Sequence, residues 1–330
     1  MDLRVTFLGT SASMPSAGRG VAATMITRGG ERILIDCGEG TQRQLLRAGI
    51  GLVDLDQIFL THLHADHFLG LPGLLKTYAL RGRERPLTLV GPFGLKGLLE
   101  RLGSLVGKLG YPLAVQEWQP GDGFELDGAI MESFATQHRV ASLGFVLAEH
   151  ARPGTFDVEA ARSLGVAEGP DFGRLQRGET VTTSAGREVA PSEVMGKTRA
   201  GRRLVFTGDT LPCGATIDAA KGATLLVHEA TFLDEDAERA RETGHSTVRQ
   251  AALVGRTADV TLLALTHVST RVRPRDAREE AEGVFERVIV PRDFDAVDIP
   301  FPERGAPTHV RWSADRADSV PQEGLAETAQ

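Results

Sequence analysis

Four side chains that can bind a metal fall in the segment His62-Leu63-His64-Ala65-Asp66-His67, directly behind the apolar run Ile58-Phe59-Leu60. Neutral imidazole and carboxylate are donors that Zn²⁺ accepts, and a catalytic zinc site keeps one position open for water. His62 and His64 project to the same side of a short extended segment. Asp66 and His67 follow the turn and can face a second ion, so the spacing suits two neighbouring ions better than one. A pair of ions needs further ligands. His138 follows Ile130–Gln137, Asp209 follows Leu204–Gly208, and His267 follows Thr261–Thr266. Each stands at the end of strand-like sequence and can point into one rim, and Asp209, with two carboxylate oxygens, is the natural bridge.

The elements that must position these residues are short apolar runs. Ile33–Ile35 ends at Asp36, Leu204–Phe206 at Thr207-Gly208-Asp209, Leu225–Val227 at His228-Glu229, and Leu262–Leu265 at Thr266-His267. Runs this short and this rich in Val, Ile and Leu read as buried strands. Helices are predicted between them over Thr41–Ala48, Asp234–Glu242 and Thr247–Arg256, the last with a Thr247/Gln250 capping box. Alternating strands and helices give an α/β fold, with the site on loops over a rigid sheet. Residues 151–200, with Arg152-Pro153-Gly154, Gly169-Pro170 and Pro191, read as an inserted, protruding segment of nearly balanced charge. Residues 301–330 contain Pro302, Pro307 and Pro321 and read as a flexible C-terminal tail.

Composition narrows the class. The chain has 330 residues, is 41% hydrophobic and 25% charged, and has a formal charge of −7. Two cysteines cannot make a disulfide framework and point to a reducing, cytoplasmic setting. No apolar stretch is long enough to span a membrane, and the N-terminus runs straight into strand-like sequence. The overall acidity hides a local exception. Residues 76–108 hold Lys76, Arg81, Arg83, Arg85, Lys96, Arg101 and Lys108 against Glu84 and Glu100, a local net of +5 suited to a phosphate backbone. Cys37 and Cys213 read as small packing residues, and His150 and His309 as surface residues.

The chain resembles the metallo-β-lactamase superfamily, whose signature is His-x-His-x-Asp-His after a strand, then a separate His, an Asp and a last His. Within it the chain is similar to the ribonuclease Z family of tRNA 3′-processing endonucleases. The resemblance rests on Phe7-Leu8-Gly9-Thr10-Ser11 with Pro15, Ile35-Asp36-Cys37-Gly38-Glu39-Gly40-Thr41-Gln42, Gly70-Leu71-Pro72-Gly73-Leu74, His228-Glu229-Ala230-Thr231-Phe232 and Gly244-His245-Ser246-Thr247. It covers residues 3 to about 290. Val272 stands where the family usually has Tyr.

The resemblance implies an αββα sandwich as a catalytic domain over residues 1–300, with residues 151–200 as a substrate-binding arm. It implies one zinc on His62, His64 and His138, and a second on Asp66, His67 and His267, bridged by Asp209. Mn²⁺ or Co²⁺ are possible substitutes. Asp66 would also accept a proton, and His245 with Glu229 would donate one to the leaving group. His228 would support the sheet or Glu229. The implied reaction removes the 3′ trailer from precursor tRNA, leaving a 3′-hydroxyl on the tRNA and a 5′-phosphate on the trailer. The implied partners are precursor tRNA and a second subunit in a homodimer, with neither DNA nor membrane. The helix after His245 could add N-terminal N–H groups to phosphate binding. The competing expectation is another binuclear metallo-hydrolase of this fold, acting on small phosphodiesters or on a thioester and not requiring the arm. A non-catalytic RNA-binding protein would have lost ligands, and all seven are present.

Overall fold

A computed structural model describes residues 1–52 and 55–313. Alternate residues of the apolar runs separate into two cores. In β1 (Leu3–Gly9), Val5 and Phe7 face one core and Leu8 the other; in β2 (Ala23–Arg28), Ile26 faces the first and Met25 the second. The same split recurs in β3 (Glu31–Ile35), β4 (Gln57–Phe59) and β5 (Leu87–Gly91). A segment buried on both faces is apolar at successive positions, which is why Phe7-Leu8, Met25-Ile26, Ile33-Leu34-Ile35 and Ile58-Phe59 show no polar alternation.

The second core lies under α1 (Thr41–Arg47), α3 (Leu71–Leu80) and α4 (Leu95–Val106), with the short α2 (Ala65–Phe68) carrying Asp66 and His67. β6 (Leu113–Glu117) completes this half. The chain then enters a second sheet through β7 (Gly123–Leu126), β8 (Ala129–Ala135) and β9 (Leu143–Glu149).

Ala148–Gly201 forms a compact unit of its own. It contains α5 (Val158–Ser163), α6 (Pro170–Gln176), the hairpin of β10 (Val181–Thr182) and β11 (Glu188–Val189), and α7 (Pro191–Val194). Its small core is Ala161, Val166, Leu175, Val181, Val189 and Val194.

The second sheet resumes with β12 (Arg203–Phe206), α8 (Gly214–Ala220), β13 (Leu225–Glu229), α9 (Ala237–Thr243), α10 (Val248–Thr257), β14 (Leu263–Thr266), α11 (Pro274–Glu282) and β15 (Val288–Ile289). β16 (Ala296–Asp298) and β17 (Thr308–Val310) return to the first sheet. The strand orders are β17-β16-β1-β2-β3-β4-β5-β6 and β15-β14-β13-β12-β9-β8-β7. The first core is shared by both sheets, with Phe7, Ile33 and Phe59 from one and Met131, Phe145 and Phe206 from the other. Helices α8, α10 and α11 pack on the outer side of the second sheet. The result is an α/β sandwich of layers αββα.

The helix after His245 begins with the expected capping box: Thr247 Oγ accepts from Gln250 N at 3.2 Å and Gln250 Oε1 from Thr247 N at 2.9 Å. The reading of 301–330 as a flexible tail needs correction for its first part. Residues 308–310 pair with β16, and His309 is tied to Asp295 at 3.0 Å rather than lying free on the surface. Three short-range prolines masked a strand whose partner lies at the other side of a turn. Pro321 and the rest of 314–330 lie outside the described residues.

Candidate active site

Parallel strands end at one edge, and the reactive residues follow their carboxyl ends. Ile35 pairs with Phe59, which places Asp36 beside Thr61-His62; Phe206 pairs with Val227 and Glu229 with Thr266, which places Asp209, Glu229 and His267 together. A bridge between His62 and Ser142 joins the two sheets at this rim. Two close approaches need glycine. A Cβ on Gly38 would sit 2.3 Å from the Asp66 carbonyl, and one on Gly208 would sit 2.5 Å from Thr61. Asp36 and His267 both adopt positive φ, 59° and 53°, where non-glycine residues are rare and cluster at functional sites.

All seven expected ligands converge in two clusters. His62, His64, His138 and Asp209 offer donor atoms within 4.8 Å of one another, and so do Asp66, His67 and His267. In the first cluster His62 Nε2 lies 3.0 Å from His64 Nδ1, and His138 Nε2 lies 3.3 Å from the same atom. In the second, His267 Nε2 lies 3.3 Å from His67 Nε2 and 3.2 Å from Asp66 Oδ2. Asp209 faces both. Its Oδ2 is 3.5 Å from His62 Nε2, while its Oδ1 is 3.4 Å from both His67 Nε2 and His267 Nε2. Asp209, His245 and His267 also bring donor atoms within 4.8 Å of one another, but His245 Nδ1 is engaged by Glu229 at 3.0 Å.

The outer hydrogen bonds fix which ring nitrogens keep a lone pair. His138 Nδ1 donates to the Gly244 carbonyl at 2.7 Å, and His67 Nδ1 donates to Asp36 Oδ2 at 2.8 Å. Thr231 Oγ donates to Glu229 Oε2 at 2.8 Å, so it accepts from His267 Nδ1 at 3.0 Å. In each case Nε2 is left facing the cluster, the arrangement that orients histidine ligands in metal sites. Ser13, at φ 57°, points its N–H at Asp66 Oδ2, 2.9 Å away.

Electrostatics favour a cation here. Burial holds His62 well below the usual imidazole range and lowers His64 and His138, so all three present neutral donors. Burial opposes protonation of His67 too, but the Asp209 and Asp36 carboxylates outweigh it and raise that group well above its usual range. Burial would also raise Asp209 and Asp66, yet the surrounding imidazoles outweigh it and hold both low. Asp209 Oδ1 is buried with no hydrogen-bond donor, and a cavity of about 30 Å³ reaches Asp209, His67 and His267. A buried carboxylate oxygen without a hydrogen-bond partner, with imidazole nitrogens of His67 and His267 each 3.4 Å away, suits a divalent ion. The residues therefore fit divalent metal.

Glu229 is fully buried and saturated. Its Oε1 accepts from Thr210 N, Ser246 N and His245 Nδ1, and its Oε2 from Thr231 N and Oγ. Although burial opposes it, this carboxylate raises His245 to about 9. His228 is buried outside both clusters, donating through Nδ1 to the Glu229 carbonyl at 2.7 Å.

A model of the metallo-beta-lactamase superfamily matches residues 17–156. Ribonuclease Z of Haloferax volcanii is 45% identical over 306 residues, spanning 91% of this chain and 96% of its own. Ribonuclease Z of Myxococcus xanthus is 46% identical over 309 residues, spanning 92% of this chain and 99% of its own. The chain belongs to the ribonuclease Z family. The short form of human tRNase Z superposes with a TM-score of 0.65 at 29% identity, covering 90% of this chain and 99% of that one. This ribonuclease Z family member is a hydrolase, a tRNA 3′-processing endonuclease with a divalent-metal site.

Three expectations change for this ribonuclease Z. The N–H groups at the start of α10 are not available to a phosphate. Ser246 N donates to Glu229, Thr247 N to Gln250, Val248 N to Phe232 and Arg249 N to Glu280. The basic segment 76–108 is smaller than its count, because Arg83 is buried among the Leu55, Arg85 and Pro86 carbonyls and Arg85 pairs with Asp56. Of the two cysteines, Cys37 packs in the core, where burial pushes its thiol up to about 12, but Cys213 is half-buried and its Sγ lies 3.2 Å from Thr216 Oγ. Sequence reasoning gave no role to Asp36, Ser13, Thr231 or Gly244. Asp36, Thr231 and Gly244 stand inside the motif blocks, which is a usable signal, whereas Ser13 acts through a backbone N–H outside them.

Proposed function

We propose that the chain binds two zinc ions, on His62, His64 and His138 and on Asp66, His67 and His267, with Asp209 shared. With them it would cut precursor tRNA after the mature 3′ end. The observation that carries this reading is the carboxylate of Asp209, one oxygen toward each cluster. Bound metal would lower the pKa of a water and offset charge on the phosphoryl oxygens. The chain's own residues handle the protons. Asp66, held by the Ser13 N–H, accepts one from the attacking water. His245, oriented by Glu229 through Nδ1, presents Nε2 to the departing ribose 3′-oxygen. Protonation there leaves a 3′-hydroxyl on the tRNA and a 5′-phosphate on the trailer.

Exposed Lys76, Arg81, Lys96, Arg101 and Lys108 supply a phosphate-attracting surface. The unit Ala148–Gly201 serves as the arm that grips folded tRNA, in a homodimer, by shape and phosphate contacts. Its arginines do not argue for this by themselves, since Arg174, Arg177 and Arg187 pair with Glu179 and Glu193. A cytoplasmic setting fits the substrate. Among the described residues no helix is long and apolar enough to cross a membrane.

Incubating the protein with a 3′-extended precursor should release the trailer in one cut, and chelator should abolish the cut until zinc is restored. A 3′ end mapped elsewhere, or cleavage indifferent to chelator, would overturn the reading. Deleting residues 155–190 should lower kcat/KM for the precursor at least about 100-fold, while hydrolysis of a small chromogenic phosphodiester stays within about threefold. Equal loss on both substrates would remove the arm from substrate binding.

A further inference from the structure

A cleft of about 460 Å³ lies between α11 and the β16–β17 hairpin, lined by Arg275, Arg278, Arg292, Arg311, His309 and Trp312 among others. Four guanidinium groups around one concavity are unusual in a chain of net charge −7. The carboxylate in the lining, Asp295, is already used: it accepts from Arg292 N at 3.1 Å, His309 Nε2 at 3.0 Å and Trp312 N at 2.9 Å. Arg275 and Arg278 pair with Glu279 and Glu282 one turn along α11, at exposed positions where such pairs are weak and yield to a better anion. Arg292 and Arg311 have no carboxylate partner among the described residues. Trp312 adds an indole to the lining, packed against Phe294 with ring centroids 5.1 Å apart.

We propose that this cleft is a subsite for the single-stranded 3′ trailer, with the arginines on its phosphates and a base against Trp312. The inference rests on the tRNA-trailer reading above. Guanidinium groups interleaved with an aromatic ring recognise single strands, whose bases are free to splay and stack. A concavity of this size admits a nucleotide but not a duplex. In a 3′-extended precursor the acceptor stem is paired, and the trailer is the free strand leaving the cut. The cleft also sits on elements that reach the centre. Its Pro274 is seven residues from His267, which bounds their separation at about 25 Å. Two residues before Asp295, Asp293 accepts from Thr10 and Gly20, the ends of the loop whose Ser13 N–H holds Asp66.

The test uses the full chain with zinc and two precursors sharing one tRNA body, one with a trailer of about ten nucleotides and one with a single nucleotide. The double variant Arg292→Gln, Arg311→Gln should raise KM for the long-trailer precursor about 10-fold, leave kcat within twofold, and leave the short-trailer precursor unchanged. The slope of its salt dependence should fall by about 1.4, given roughly 0.7 for each of the two single-strand phosphate contacts removed. Trp312→Leu should weaken the long-trailer precursor at least about fivefold, as loss of a stacking ring does. The control Lys221→Gln, Arg287→Gln removes the same charge at exposed positions outside the cleft and should behave as the parent. Equal losses on both precursors, no loss, or the same loss in the control would overturn the proposal. Binding of a fluorescent single-stranded RNA hexamer separates the two readings. If no precursor is cut, the tRNA reading falls, and hexamer affinity unchanged in the double variant would overturn the cleft independently.

Discussion

Replacing Asp209 with Ala should lower trailer cleavage at least about 10⁴-fold and release metal from both clusters, a scale set by removing the charge stabilisation that two-metal sites provide. The geometry makes this residue unlike the other candidate ligands. Its two oxygens face different clusters, at 3.5 Å from His62 and 3.4 Å from His67 and His267. It is also almost fully buried, with Oδ1 lacking any hydrogen-bond donor, so no water can take over its role cheaply. Loss of the carboxylate leaves the imidazoles facing one another without a negative group between them. Metal content measured by mass spectrometry is the decisive reading, because a folding defect would appear separately in the thermal transition. A folded variant that keeps both ions and cuts within tenfold of the parent would show that Asp209 is not the bridge.

His245→Ala should lower the rate on precursor tRNA by about 10²–10⁴-fold, the usual contribution of a positioned general acid. The loss should shrink to a few-fold on a phosphodiester with a nitrophenolate leaving group, which departs without a proton. This contrast follows from where His245 sits. Glu229, which accepts five hydrogen bonds, accepts one of them from His245 Nδ1–H and so leaves Nε2 for the leaving group. If His245 instead held metal, both substrates would suffer alike and bound metal would fall. Equal losses with reduced metal would therefore move His245 from proton donor to ligand.

The metal-ligand candidates were legible because their signals are local. Four lie in one segment, and the other three each follow a strand whose apolar run is visible in isolation. Buried parallel strands force such residues to one edge of a sheet. The supporting groups were not legible in this way. The hydrogen bonds of His67 to Asp36, Asp66 to Ser13 and His138 to Gly244 span 31, 53 and 106 residues. No periodicity encodes which nitrogen keeps a lone pair when its partner is a distant carbonyl or N–H.

Charge counting failed for a related reason. Arg83 counted as one cation of a basic segment, yet it is buried among backbone carbonyls, while the four arginines of the α11 cleft are scattered over residues 275–311 and become neighbours through pairing of β16 with β17. The helix after His245 offered anion-binding N–H groups by its position, and its own Gln250 together with Glu229, Phe232 and Glu280 from other elements consume them. The sequence by itself determined the fold class, the family and the set of candidate metal-ligating side chains, because hydrophobic period and ligand spacing act over a few residues. Only the tertiary structure decided which outer hydrogen bonds orient each imidazole, which oxygen of Asp209 faces each cluster, and where free positive charge gathers. Those properties are distances between residues far apart in the chain, fixed by how the two sheets pack.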